Sequence, residues 1–338
     1  MKTLIVGSGA VGGLTAAFTS KGGADVTLLC REEETARKIR EEGLRITGKR
    51  GDITHKMNAV SELGDPAERF DHILLATKAQ DAEEALRDTL PYLKPDGLVT
   101  GVQNGMALET VEKLAGEKRS AVCTVGWSCT KTGDASVCFN GEGFFVIGRA
   151  GDKKDKRLRE LQSILQYAAP VLVSEHIRED AFSKLILASA VYGAGLLHGG
   201  SLGEFSGEKS VRRFFAEIVR EDLEIAKAMR LRVPAYGGRL DYAVFARGDG
   251  FGDRLRRNAL IRNLSGRYQG WISTDYDGMK RGEGSEIPYI HGWLSETALK
   301  YRILSPLNDG ICKMAREMER GDRKPSADNI RELLDTLA

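Results

Sequence analysis

The chain lacks a charge excess of either sign, a cysteine framework and a long apolar run at its start, and each lack removes a class of function. Its 50 Lys+Arg against 48 Asp+Glu leave a formal net charge of +2, whereas nucleic acid and anionic membranes call for a concentrated basic surface. Neither is expected as a partner. The five cysteines, at positions 30, 123, 129, 138 and 312, form an odd set without C-x-x-C spacing, so neither disulfides nor a metal site is expected. The opening run Met1-Lys2-Thr3-Leu4-Ile5-Val6 breaks at Gly7, too short for a signal-peptide core or a membrane span. A cytoplasmic location is the expectation. No repeat or low-complexity tract stands out.

What is present is ordinary globular chemistry, 338 residues with 41% hydrophobic side chains, and an excess of glycine at 39 residues. Length alone favours domains of about 100 to 200 residues each. Strands at 2–6, 25–29, 70–76 and 98–102 alternate with helices at 10–21, 32–42, 80–90 and from 107. Such alternation predicts a parallel sheet covered on both faces. Further strands near 119–126 and 136–148 are expected to extend that sheet by antiparallel pairing, followed by a helix at 155–168. From about 175 the texture turns helical, with segments at 178–197, 208–230, 254–280, 284–301, 306–320 and 327–337. The fold expected is therefore α/β: a Rossmann-type, doubly wound domain over 1–175 and an all-helical domain over 176–338.

Gly7-Ser8-Gly9-Ala10-Val11-Gly12 has the G-x-G-x-x-G form directly after a strand and at the start of a helix. Gly7 permits the tight turn, Gly9 lets backbone approach a pyrophosphate, and Gly12 lets helix and strand pack closely. The helix amino terminus then faces the phosphates. The blander reading, a glycine-rich turn of any α/β protein, does not account for position and context together. The second strand ends in Leu28-Leu29-Cys30-Arg31, with Arg31 where an acid would otherwise grip a ribose 2′-hydroxyl. A guanidinium suits a 2′-phosphate, so NADP is expected over NAD, although Glu32, Glu33 and Glu34 complicate the local field. Lys78 and Asn104 each follow a strand and so lie at the carboxyl edge of the sheet, where an open α/β fold binds its ligand. Taken singly, each is a helix cap or a turn residue; as an ordered pair they point to cofactor contact. Lys184 is a single cation on the apolar segment Ala181–Val191, an expensive placement unless something uses it.

Taken together these motifs resemble the ketopantoate reductase family, the NADPH-dependent enzymes that reduce 2-dehydropantoate to pantoate. The resemblance runs over nearly the whole chain. It includes Ala76-Thr77-Lys78-Ala79, Gln103-Asn104-Gly105-Met106, Phe182-Ser183-Lys184-Leu185, Ser285-Glu286-Ile287-Pro288-Tyr289-Ile290-His291-Gly292 and Ser305-Pro306-Leu307-Asn308. It implies a carboxyl-terminal domain like that of 6-phosphogluconate dehydrogenase and a small 2-oxo acid substrate in an interdomain cleft. Lys184 is implied to be the general acid, protonating the carbonyl oxygen as hydride reaches the carbon. Glu286 is implied to orient Lys184 or hold a ribose hydroxyl; its plain alternative is a helix-start carboxylate. Ser273 and Thr274 fall in the family's serine-containing substrate segment, and Asp277 matches a family acid expected to be structural.

Several positions depart from the pattern. Where the family carries asparagines four and eight residues after the lysine, this chain has Ala188 and Tyr192, and Trp271 replaces a third. These positions share one helix stripe with Lys184 at i, i+4 and i+8, so Ala188 and Tyr192 remain the expected substrate contacts. Losing amide donors relaxes discrimination for one hydroxy keto acid. Should the arginines of the segment 231–270 turn inward, a larger anionic or aromatic 2-oxo acid becomes an option, with Tyr192 and Trp271 as an apolar wall. Arg239, Arg247, Arg254, Arg256, Arg257, Arg262 and Arg267 crowd one segment, whose ordinary reading is a solvated helix face and whose alternatives are a lid or an oligomer contact. Two other functions share the architecture: a dinucleotide sensor without catalysis, and an opine-type dehydrogenase. Helical second domains of this kind often pair, which makes a homodimer the oligomeric expectation.

Overall fold

The computed structural model describes residues 1–151, 154–238, 240–267, 273 and 275–337. The chain divides into two compact units, the first comprising Met1–Gln103 with Ala107–Arg178 and the second Asn104–Met106 with Glu179–Ala338.

In the first unit the strands are β1 (Lys2–Val6), β2 (Asp25–Leu29), β3 (Leu44–Gly48), β4 (Ile53–His55), β5 (Asn58–Val60), β6 (Phe70–Leu75), β7 (Leu93–Gly101), β8 (Ser120–Val125), β9 (Ser128–Gly133), β10 (Ser136–Gly141), β11 (Phe145–Gly148) and β12 (Val171–Val173). Its helices are α1 (Ala10–Lys21), α2 (Glu33–Glu41), α3 (Ala82–Thr89), α4 (Ala107–Ala115) and α5 (Lys156–Leu165). Eight strands form one sheet in the order β12-β11-β8-β7-β6-β1-β2-β5, parallel throughout except where β11 runs against β8. Both faces are covered, as a parallel sheet requires. Side chains alternate across a strand, and here the alternation divides the core. Leu4, Val6, Ile73, Leu75 and Val99 pack with Leu86 and Val111 on one side, while Ile5, Leu74 and Leu98 join the core containing Leu14, Leu161 and Leu165 on the other.

One expectation is corrected in part: the strand expected over 136–148 divides, β11 extending the main sheet antiparallel to β8 and β10 joining β9 in a separate four-stranded sheet of order β4-β3-β10-β9, while β8 pairs with β7 in parallel. Three short strands between 44 and 60 also escaped the sequence, because β4 and β5 are only three residues long and offer no period to read.

The second unit is helical, with one isolated bridge between Tyr236 and Leu240 among its described residues. Its elements are α6 (Ile177–His198, which begins in the first unit), α7 (Leu202–Phe205), α8 (Lys209–Ala228), α9 (Tyr242–Ala246), α10 (Phe251–Arg267), α11 (Asp275–Lys280), a π-helical turn (Pro288–Gly292), α12 (Trp293–Lys300), α13 (Pro306–Glu319) and α14 (Ala327–Asp335). Of the segments expected as single helices, 254–280 is interrupted at Ser273, whereas 284–301 holds one continuous helical run in which the π-helical turn leads directly into α12. Helix α6 is apolar on all sides and long enough to cross a membrane by composition, yet 72% of its apolar window is buried within the protein. It is a core helix.

One face of α6 is held by a buried polar network. Asp222 is fully buried; its carboxyl pairs with the Ser189 hydroxyl and accepts from Asn308 Nδ2 at 3.0 Å. Asn308 Oδ1 meets His291 Nδ1 at 2.7 Å, and Glu221 accepts from the Leu307 and Asn308 backbone N–H groups at 2.9 Å each. Burial pushes the Asp222 carboxyl up to about 8 and draws His291 down to about 4, so both are neutral at pH 7. The Ser189 hydroxyl also donates to the Ile186 carbonyl at 2.9 Å, which leaves its lone pairs to accept from a protonated Asp222.

An acid whose proton is held more tightly in the folded state costs stability as pH rises, because the unfolded chain releases that proton first. The folded carboxyl titrates near 8 against about 3.9 in the unfolded chain, so the loss accumulates between those values. Thermal melting at pH 5 and pH 8 should therefore show stability falling with pH, and Asp222→Asn should flatten that dependence. An unchanged slope in the variant would show that Asp222 is not a buried neutral acid.

Candidate active site

Strands β1 and β6 are neighbours in the sheet, and successive crossovers lead away from them in opposite directions. Their carboxyl ends form the switch point at which such sheets bind ligands. Gly7 closes β1 with φ +107°, and its N–H donates to the Leu29 carbonyl at 2.9 Å. A Cβ on Gly12 would lie 2.0 Å from the Gly7 carbonyl oxygen, whereas one on Gly9 would meet nothing within 4 Å. The loop is thus tight on its inner side and open above Gly9, where a phosphate would sit. Helix α1 starts at Ala10 with no acidic residue in its first turn and no side chain capping it, an arrangement suited to an anion. Ser8 hydrogen-bonds the Cys30 side chain, and Val11 packs against the core beside α1. This cradle fits a dinucleotide pyrophosphate.

Arg31 is exposed two residues beyond β2, and its Nη2 pairs with Asp81 Oδ2 at 2.8 Å. Lys78 is exposed three residues beyond β6 and precedes a short 3-10 turn, Ala79–Asp81. Both lie at the carboxyl edge of the sheet in the first unit. Asn104 belongs instead to the second unit, and packs with the residues that sequence linked to catalysis.

Lys184, Tyr192, Glu286 and Asn104 are all half-buried. Asn104 Nδ2 donates to the Tyr192 hydroxyl at 3.0 Å and to Glu286 Oε2 at 3.3 Å. Burial draws Lys184 down to about 8, and the negative charge of Glu286 opposes that fall. For Tyr192 burial comes first, reinforced by the charges of Glu286 and Asp275, and the phenol lies well above its ordinary value. It keeps its proton. The hydroxyl of Tyr192 thus joins a polar cluster, which an apolar wall alone would not provide. Trp271, Thr274 and Arg239 lie outside the described residues.

Ala188 is buried, 2% exposed. Ser273 is also buried; its hydroxyl donates to Asp275 Oδ2 at 3.2 Å. Asp275 is a residue that sequence reasoning missed. Its Oδ1 accepts from the Ser285 hydroxyl at 3.0 Å and from the Glu286 N–H at 2.8 Å, so one buried carboxylate braces the backbone of Glu286. The π-helical turn begins two residues later, a local irregularity that often accompanies functional sites.

A second missed feature is the segment around residues 234–246. The Ser183 hydroxyl donates to the Pro234 carbonyl at 2.9 Å, and the Tyr242 hydroxyl donates to the Ser183 carbonyl at 2.5 Å. Between them the Lys184 Nζ stands 5.6 Å from the centre of the Tyr236 ring. These contacts shield the lysine stem. Arg257, 5% exposed, anchors the segment by donating to the carbonyls of Phe245 at 3.1 Å and Gly248 at 2.6 Å. Arg220 reaches the Ala246 carbonyl at 2.9 Å. Arg257 is therefore a backbone clamp, whereas Arg247, Arg254 and Arg262 are exposed, as expected for this run. Composition carried no signal for this, since inward and outward arginines look alike in sequence.

Comparisons with known proteins bear on the family and the fold. The family described as ketopantoate reductase PanE/ApbA matches residues 3–152, and its carboxyl-terminal counterpart matches residues 176–319. A 2-dehydropantoate 2-reductase of Pyrococcus abyssi is 26% identical over 91% of this chain and 94% of its own, and one of Lactococcus lactis is 23% identical over 94% and 98%. Among solved structures, a D-mandelate dehydrogenase with NADH and anilino(oxo)acetate superimposes with a TM-score of 0.80 at 22% identity, covering 95% of this chain and 99% of that one. A ketopantoate reductase from Ralstonia eutropha gives a TM-score of 0.76 at 24% identity, with the same coverage. Family matches to both halves of the sequence, consistent with a dinucleotide-type glycine loop at the switch point of the first unit, show that this chain belongs to the ketopantoate reductase PanE/ApbA family of oxidoreductases.

Proposed function

We propose that the chain is an NADPH-dependent reductase of a 2-oxo acid, forming the 2-hydroxy acid, with its first unit holding the dinucleotide and its second unit the proton donor. The observation that carries this reading is Lys184, half-buried and brought down to about 8 by burial. Gly7, Ser8, Gly9, Ala10, Val11 and Gly12 would hold the pyrophosphate, Arg31 the 2′-phosphate, and Lys78 the cofactor near the sheet edge. NADPH, when bound, supplies the hydride to the carbonyl carbon.

The remaining chemistry belongs to the protein. Lys184 hydrogen-bonds the substrate carbonyl oxygen and gives up its proton as negative charge gathers there. A donor that titrates near the working pH combines a populated acid form with a facile transfer. Glu286 keeps the lysine protonated in the resting site, countering the loss of water around it. Asn104 and Tyr192 hold the Glu286 carboxylate by hydrogen bonding, and Asp275 holds its backbone. Thr274 is assigned to the substrate carboxylate and Ala188 and Tyr192 to its side chain, while Ser273, whose hydroxyl donates to Asp275, positions that segment. Three amide positions of the family are replaced here, so the substrate panel should extend from 2-dehydropantoate to aryl 2-oxo acids such as phenylglyoxylate. A structural neighbour that carries anilino(oxo)acetate is compatible with that class. The site of action assigned is the cytoplasm.

Lys184→Ala should lower kcat/KM for NADPH-driven reduction by about 10²- to 10⁴-fold, the span of a general acid, with NADPH binding kept. Tight NADPH binding with no turnover on any 2-oxo acid by the native chain would favour a sensor. Amine-dependent turnover would favour an opine-type enzyme.

In the native enzyme kcat/KM should be level below about pH 8 and fall above it, as the free lysine deprotonates. Glu286→Gln removes the charge that raises the lysine, so the descending limb should move to lower pH. A limb that stays in place would disconnect Glu286 from Lys184.

Gly12→Ala would place a methyl 2.0 Å from the Gly7 carbonyl oxygen and force the loop apart. Fluorescence titration should show NADPH binding weakened by at least about tenfold, equivalent to 1.4 kcal/mol. Unaltered binding would mean that this loop is not the pyrophosphate site.

A further inference from the structure

The contact made by Arg31 bears on which dinucleotide the chain accepts. Its guanidinium is held by Asp81, Nη2 to Oδ2 at 2.8 Å, with side chains 74% and 35% exposed. Asp81 closes the 3-10 turn after β6, two strands away from β2 in the sheet order. In dinucleotide folds that prefer NAD, an acid at the tip of the second strand accepts the ribose 2′-hydroxyl. Here that tip carries an arginine, and a carboxylate reaches it from a different strand.

Two of the three acids that follow Arg31 in sequence are engaged elsewhere. Glu33 is occupied by Arg40 at 2.7 Å and by the Ser61 hydroxyl at 2.7 Å, and Glu34 pairs with Arg37 at 2.9 Å. Asp81, which sequence gives no reason to single out, is the carboxylate that meets the guanidinium.

We propose that Asp81 is a determinant of cofactor choice, competing with the 2′-phosphate of NADPH for Arg31 and accepting the ribose 2′-hydroxyl of NADH, so that the chain binds both nucleotides. An exposed ion pair is weak and readily exchanged, so a 2′-phosphate can take Arg31 from it. The displaced carboxylate then lies near a phosphate of like charge, which reduces the advantage of NADPH. With NADH, the hydroxyl donates to the carboxylate and no repulsion arises. The inference rests on the dinucleotide reading of the first unit and refines it at one residue.

Dissociation constants for NADPH and NADH, obtained by nucleotide fluorescence with the full chain and no substrate, test this independently of turnover. The native protein should bind both, with constants within about tenfold of each other. Asp81→Asn should tighten NADPH and weaken NADH, changing their ratio by about tenfold in favour of NADPH, and Asp81→Ala should act in the same direction. Arg31→Gln should weaken NADPH selectively. An unchanged ratio in both Asp81 variants overturns the proposal while leaving the NADPH reading intact if Arg31→Gln still discriminates. A native protein that binds neither nucleotide, or an Arg31→Gln variant that loses both equally, overturns the assignment of this edge to the ribose along with the proposal. Melting temperatures of the Asp81 variants should match the native value, since the pair is exposed.

Discussion

The site depends on a balance at the Lys184 ammonium. Removing water from a cation favours its neutral form, and a nearby carboxylate favours its charged form. An ordinary exposed lysine titrates near about 10.4 and releases its proton reluctantly. One buried without a compensating charge would be neutral in the resting protein. Lys184 lies between these limits because α6 and the segment around Tyr236 take most of its stem from solvent, while Glu286 acts on its charge. Asn104, Tyr192 and Asp275 then matter through what they hold in place.

The same helix carries a second polar cluster with the opposite character. Around Asp222, burial has led to neutral groups with local partners: Ser189, Asn308 and a neutral His291. That arrangement joins α6, α8, the π-helical turn and α13 without an unpaired charge, which is how an interior accommodates polar groups. Around Lys184 the groups stay half-buried, and the lysine feels the opposite charge of Glu286. One face of α6 is closed by neutral partners, and another carries Lys184 and Tyr192 only partly covered.

In the first unit, backbone shape does what side chains do in the second. A positive φ at Gly7, a contact at Gly12 that no methyl would fit, and open space above Gly9 define the cradle. Charge enters at the rim, where Arg31 and Asp81 meet. The proposed proton donor and the proposed nucleotide cradle thus lie in separate units of the chain, each resting on a different kind of constraint.

Local and periodic features were legible in the sequence: the alternation of β1, β2, β6 and β7 with their helices, the helical second half, the glycine loop, and the residues at strand ends. Lys184 was visible because a lone cation stands out on an apolar helix, and Glu286 because it lies in a recognisable motif. Each of these signals is carried by neighbours within one turn or one strand. The short strands β4 and β5 gave no period, and the pairing of β10 with β3 joins segments about ninety residues apart. The bracing of Glu286 by Asp275, the inward turn of Arg257, the role of the Tyr192 hydroxyl and the meeting of Arg31 with Asp81 became apparent only in three dimensions. The physical reason is that residue type sets what a side chain can bond, whereas burial and distant partners decide which bonds it makes and what charge it keeps.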